Sequence, residues 1–149
     1  MRIFLARLPD GSHASRKTES YYSHAVVWQV TQADVDRAEA AYNAALACTD
    51  EDRVAYVKLD TRCRLAKTGR EAAKIHREIE RHPAHLLATD STGAARGQRI
   101  ISGLRAKVGQ CGVEGFCGSL RLAEKLRIAL QSDPYRGRRT YTIVETIPT

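Results

Sequence analysis

Aromatic residues are scarce in this chain: Phe, Trp and Tyr make up 6% of its 149 residues, with a single Trp. Long apolar runs are missing too. A membrane-crossing helix needs about 18 or more consecutive apolar residues, and no window approaches that, so no membrane partner is expected. The opening Met1-Arg2-Ile3-Phe4-Leu5-Ala6-Arg7 is too short and too interrupted by charge for a secretory leader. A cytoplasmic setting is therefore expected. There the four cysteines, Cys48, Cys63, Cys111 and Cys117, would be reduced thiols. None forms a CxxC pair. His82-Pro83-Ala84-His85 supplies two imidazoles, but Pro83 breaks a helix and the spacing fits no common zinc pattern, so no metal is expected. Catalytic signatures are absent as well. There is no GxSxG, no GxGxxG after a strand and no GxxxxGK[ST]. Glu78 and Glu80 lie on a charged helical stretch and read as solvated. The sequence thus leads us to expect no catalytic residue, no cofactor and no enzyme.

What is present is an ordinary globular balance, 43% apolar and 28% charged. With this length it suits one domain over 1–149. Lys and Arg total 24 against 17 Asp and Glu, a formal charge of +7. A surplus of that size draws anions: a nucleotide, nucleic acid or an acidic protein. Positive charge is densest at Arg16-Lys17 and at Arg136, Arg138 and Arg139.

The pattern along the chain predicts mixed structure. Residues 2–8 read as a strand, and Pro9-Asp10-Gly11-Ser12 is turn chemistry. Residues 10–19 read as an irregular basic loop, and the aromatic and β-branched run 20–30 as a second strand. Period-two alternation would put Ser20, Tyr22 and His24 on one face. Thr31 offers an N-cap with Asp34 as the capping-box acid. Val35, Ala38, Tyr42, Ala45 and Leu46 then stripe a helix over 32–48. Thr49-Asp50-Glu51-Asp52 interrupts or restarts it. A helical pattern continues to Arg81, with Gly69 as a possible break, and Pro83 ends it. Residues 89–97 read as loop, 98–107 as a short helix, and the glycine-rich 110–118 as irregular. Gly109, Gly112, Gly115 and Gly118 recur every three residues, which suggests a flexible loop. Ser119 caps a final helix, 120–131, with Leu122, Leu126 and Leu130 on one face. Residues 139–147 alternate as a closing strand. The expected fold is α+β, a small antiparallel sheet from both chain ends packed with long central helices.

The candidate site follows from charge and ring placement. Arg16 offers a planar fork for phosphate oxygens and Lys17 a point charge. Tyr22 and Phe116 can stack on a base, and His24 presents an imidazole from the strand. Arg121 and Lys125, four apart, share one face of the last helix. Arg139 opens the closing strand. If that strand pairs with 20–30, cations from both ends of the chain converge on one binding site.

Two segments carry a resemblance. One is Ser15-Arg16-Lys17-Thr18-Glu19-Ser20-Tyr21-Tyr22-Ser23-His24-Ala25-Val26-Val27. The other is Gly115-Phe116-Cys117-Gly118-Ser119 followed by Leu122-Ala123-Glu124-Lys125. In that order they resemble the phage anti-Thoeris sponge proteins. The resemblance implies an α+β protomer in the host-cell cytoplasm that sequesters a cyclic ADP-ribose-type immune signal without degrading it. It also implies a homo-oligomer with sites between protomers. The matched positions are Arg16, Lys17, Tyr22, His24, Phe116 and Lys125, whereas Arg121 and Arg139 come from charge placement. Two other readings remain open: a basic phage protein that binds nucleic acid, and a protein inhibitor of a host defence complex.

Overall fold

The computed structural model describes residues 1–88 and 93–149, with side chains described except at 87, 88 and 93–96. The fold is α+β. In chain order the strands are β1 (Arg2–Arg7), β2 (His13–Thr18), β3 (His24–Gln29), β4 (Cys111–Cys117), β5 (Thr140–Glu145) and β6 (Ile147–Pro148). The helices are α1 (Gln32–Leu46), α2 (Asp50–Arg64), α3 (Gly69–Arg81), α4 (His85–Ala88), α5 (Gly93–Lys107) and α6 (Leu120–Ser132). Of the loop expected over 89–97, residues 89–92 lie outside the described residues, and from Gly93 onward the chain is helical. No helix among the described residues is long and apolar enough to cross a membrane. The chain divides into two compact units, one of Met1–Asp34 with Leu104–Thr149 and one of Val35–Gly103.

In the first unit the strands form two antiparallel sheets, ordered β2-β1-β6 and β4-β3-β5, where one sheet was expected. The expected pairing of the closing strand with 20–30 is present over 24–29, with Ala25 opposite Val144 and Trp28 opposite Tyr141. The basic segment is not a loop. It is β2, paired along its length with β1, Phe4 opposite Arg16 and Ile3 opposite Lys17. The turn before it explains why. Gly11 adopts φ +87°. Asp10 Oδ1 accepts from the backbone N–H and the hydroxyl of Ser12 at 2.9 and 2.6 Å. These bonds hold the Asp10 carboxyl below its usual range. His-Ala-Ser-Arg-Lys-Thr showed no alternation because β2 is an edge strand with little burial to enforce one.

Nor is the glycine-rich stretch a flexible loop, for it is β4. Gly112 lies opposite Trp28 and Gly115 opposite Val26, either side of a bulge at Glu114. A Cβ at Gly112 would come within 2.9 Å of the Trp28 indole, and one at Gly115 within 3.3 Å of Leu126. The glycines let the indole and a helix side chain lie on the strand itself. Gly112→Val should therefore destabilise this unit by about 1–3 kcal/mol, the usual cost of forcing bulk into a packed site. Urea unfolding followed by the single Trp measures it; an unshifted midpoint would contradict this packing.

One face of the β4-β3-β5 sheet holds the core. Val26, Cys117, Ala123, Leu130 and Tyr141 are buried there, with Trp28, Leu126 and Ile143 packed against them. The helix in this cluster is α6, N-capped by Ser119, whose Oγ accepts from Leu122 N at 3.2 Å. Its buried face runs through Ala123, Leu126 and Leu130. Leu122, expected on that face, is 54% exposed. Burial pushes the Cys117 thiol pKa up. Cys48, Cys63 and Cys111 should accordingly react with a thiol reagent in the native state, while Cys117 reacts only on unfolding. Equal native rates for all four would contradict its burial. On the other face of β3, Ala25 and Val27 are buried, as are Phe4 and Ala6 of β1.

The junction of strand and helix is built on Asp34. Its Oδ2 accepts from Thr31 N at 2.8 Å, and Asp34 N donates to Thr31 Oγ1 at 3.3 Å, so the expected capping pair is formed. Asp34 is also 1% exposed, and its Oδ1 accepts from the Thr140 hydroxyl of β5 at 2.8 Å.

In the second unit the ambiguity at 49–52 resolves into separate helices. Thr49 caps α2 in a reciprocal capping box with Asp52. Thr68 caps α3, which starts at Gly69. α2 and α3 pack as a helical pair, with Ile75 and Ile79 of α3 buried. His82 and His85 serve local structure: Ala84 N donates to His82 Nδ1 at 3.1 Å, and Tyr56 Oη lies 2.9 Å from His85 Nδ1.

Candidate functional site

The first unit gathers a cation and a set of rings at one place. Arg16 shares a face of the β1-β2 ladder with Phe4, its cross-strand partner. From there its guanidinium lies over the Tyr22 ring, 5.0 Å from the centroid. Tyr22 follows β2 and precedes β3, and its ring lies 6.0 Å from Phe116. Phe4 meets Tyr22 edge-on at 6.0 Å and Tyr21 edge-on at 5.6 Å. The segment is anchored by its backbone. Thr146 Oγ1 donates to Tyr22 O at 2.5 Å, Ser23 N donates to Cys117 O, and Thr146 N donates to Ser23 O, both at 3.0 Å. Arg16 is exposed, while Tyr22 and Phe116 are half-buried. Rings fixed at their inner edges beside an exposed guanidinium form a surface that can take an aromatic face and an anion together.

Other expected members of the site lie elsewhere. Lys17 follows Arg16 in a strand, so its side chain leaves from the opposite face, beside Ile3. Arg16 and Lys17 cannot clamp one small ligand from one face. The alternation expected to put His24 on one face with Tyr22 does not apply, because β3 begins at His24 and Tyr22 precedes it. His24 pairs with Cys117, on the side where α6 packs, while Phe116 pairs with Ala25 on the other side. His24 Nδ1 lies 2.7 Å from Ser23 Oγ. Arg121 and Lys125 are exposed on α6. Each stands two residues from the fully buried Ala123, about 200° around the helix, and so faces outward.

Arg139 is committed within the fold. Its guanidinium lies 4.3 Å from the Trp28 ring centroid, its Nη2 is 3.1 Å from Glu114 Oε2, and its Nε donates to Tyr141 Oη at 3.0 Å. Tyr141 Oη donates onward to Arg136 O at 2.7 Å. Asp133 Oδ1 accepts from the backbone N–H of Arg136 and Tyr135, at 2.8 and 2.9 Å. These bonds hold its carboxyl below the usual range. The basic segment after α6 is therefore a braced turn, and Arg139 is one of its struts.

The chain matches no family model, no curated protein and no solved structure. The site must be judged on its own geometry. That geometry brings together Arg16, Tyr22 and Phe116 from the expected set and adds Phe4 and Tyr21. Phe4 had a signal in the sequence, since it is the only aromatic residue of the first strand. Glu114, the partner of Arg139, had none, because the bulge that turns it toward Arg139 breaks simple alternation.

Proposed function

We propose that this protein binds a small anionic nucleotide without chemical change, with the base against Tyr22 and Phe116 and a phosphate on Arg16. The single observation that carries this reading is the exposed Arg16 guanidinium held 5.0 Å from the centroid of a ring that itself neighbours Phe116. A guanidinium fork suits phosphate oxygens, and a fixed aromatic face suits a base. The finer reading is a phage anti-defence sponge that withholds a cyclic ADP-ribose-type signal from its effector. It is supported by the resemblance of the segments around Arg16–Val27 and Gly115–Lys125, which contain Arg16, Tyr22 and Phe116. Lys17, His24, Arg121, Lys125 and Arg139 are not needed for it within one protomer.

The test is expression alongside an active signal-producing enzyme, then heat release and mass spectrometry of whatever small molecule the protein carries. An intact cyclic nucleotide, stoichiometric with the chain, is expected. A chain that carries none, and gives no calorimetric heat with cyclic ADP-ribose isomers or cyclic oligonucleotides at about 50 μM, overturns the proposal.

A second reading has its own observation. On the other face of the β1-β2 ladder, Arg7 pairs with His13 and Lys17 lies beside Ile3, so basic groups gather away from the ring cluster. That face suits a phosphate backbone, and binding there would weaken steeply with salt. DNA or RNA affinity that is flat between low and physiological salt excludes it.

A further inference from the structure

Helix α2 is 15 residues long, and among the described residues none of its own is buried. It is nevertheless not polar all round. Val54, Val57, Thr61 and Leu65, the last its C-cap, recur at three- and four-residue steps and so line one face. Val54, Val57 and Leu65 are 54%, 61% and 75% exposed. An open groove bounded by Asp50, Glu51, Val54, Ala55 and Lys58 runs beside this stripe. A helix whose apolar stripe stands in water is incomplete as it is.

The charge along α2 indicates what covers the stripe. Its first turn carries Asp50, Glu51 and Asp52, and its last turn carries Arg62 and Arg64. Arg64 touches Asp60 of its own helix at 3.0 Å and Arg53 lies 3.8 Å from Asp50, but all four side chains are exposed, so these pairs hold them weakly. A second α2 laid parallel would set acid on acid and base on base. Laid antiparallel, it sets the acidic turn of each copy against the basic turn of the other, with the valines and Leu65 between them. A two-fold axis across the middle of the helix satisfies both ends at once, because one self-complementary patch meets itself.

We propose that two copies of this chain associate through α2, antiparallel about such an axis. The seam is one helix face per copy, less than a standard stable interface, so a weak, concentration-dependent association is expected. The proposal is independent of the nucleotide reading, which concerns residues of the other unit.

Sedimentation velocity of the full chain over a range of concentrations, at low and high salt, tests it. The expected result is a monomer–dimer equilibrium that weakens with salt. Val57→Glu should give a monomer whose thermal melt matches that of the wild type at concentrations low enough for both to be monomeric. The variant Asp50→Lys/Glu51→Lys and the variant Arg62→Glu/Arg64→Glu should each be monomeric alone and should form a mixed dimer when combined. A wild-type chain that stays monomeric at several hundred micromolar overturns the proposal. So does a dimer indifferent to Val57→Glu, or a Val57→Glu chain that melts lower than the wild type even where both are monomeric, which would mean the stripe is covered within the chain.

Discussion

Asp34→Ala will lower the unfolding free energy by about 2–4 kcal/mol, combining a lost helix cap with a half-buried hydroxyl left without its acceptor. The residue earns this weight by its position. It caps the start of α1 through Thr31 and ties that start to Thr140 of β5, across 106 residues of sequence. Alanine removes both acceptors in a place water cannot reach. Asparagine keeps one acceptor oxygen, so Asp34→Asn should lose about 1–2 kcal/mol, roughly one neutral hydrogen bond. Urea unfolding followed by Trp28 emission reads both, since Trp28 is in β3 of the same unit. An alanine variant as stable as the wild type would show that the carboxylate is not tying Thr31 to Thr140.

Arg16→Ala will weaken the proposed nucleotide binding by about 1–3 kcal/mol, about 5- to 150-fold in Kd, the range for losing one charge-assisted hydrogen bond. The guanidinium stands over Tyr22 and is exposed, so its removal should leave the fold intact. Tyr22→Leu keeps apolar bulk near Phe4 and Phe116 but removes the aromatic face. It should weaken binding by about 1–3 kcal/mol if a base stacks there. Lys17→Ala should change affinity little, because Lys17 leaves the strand on the other side. Loss of binding in Lys17→Ala with none in Arg16→Ala would move the site to the opposite face of the β1-β2 ladder.

The parts of the fold legible in the sequence are those where one residue type dictates one local geometry. Thr31 with Asp34, Ser119 before α6, and Pro83 after α3 all fixed boundaries through caps or a missing N–H. The alternating β-branched run at 140–145 showed β5. Two strands were hidden for different reasons. β2 is polar because it lies at an edge, and β4 is glycine-rich because Trp28 and Leu126 lie against it. In both, side-chain type reports what packs on the strand, and that neighbour is distant in sequence.

The site was legible in the same partial way. Arg16, Tyr22 and Phe116 were visible as residues of the right chemistry, and the fold brings them together. Lys17 and His24 fell away because strand parity reverses the face at every residue and strand start resets it. The commitment of Arg139 is not visible in the sequence, because its acceptor, Glu114, sits on a bulge 25 positions earlier. Convergence of the two chain ends is present in the sheet, but it delivers rings and backbone anchors rather than a second cation.

The most direct measurement is calorimetric titration of cyclic ADP-ribose isomers and cyclic oligonucleotides into the wild-type chain, Arg16→Ala and Arg121→Ala. Saturable binding by the wild type, weakened by the first substitution and untouched by the second, is what a platform of Arg16, Tyr22 and Phe116 produces. Equal affinities for all three proteins, or heat from none of them, would contradict it.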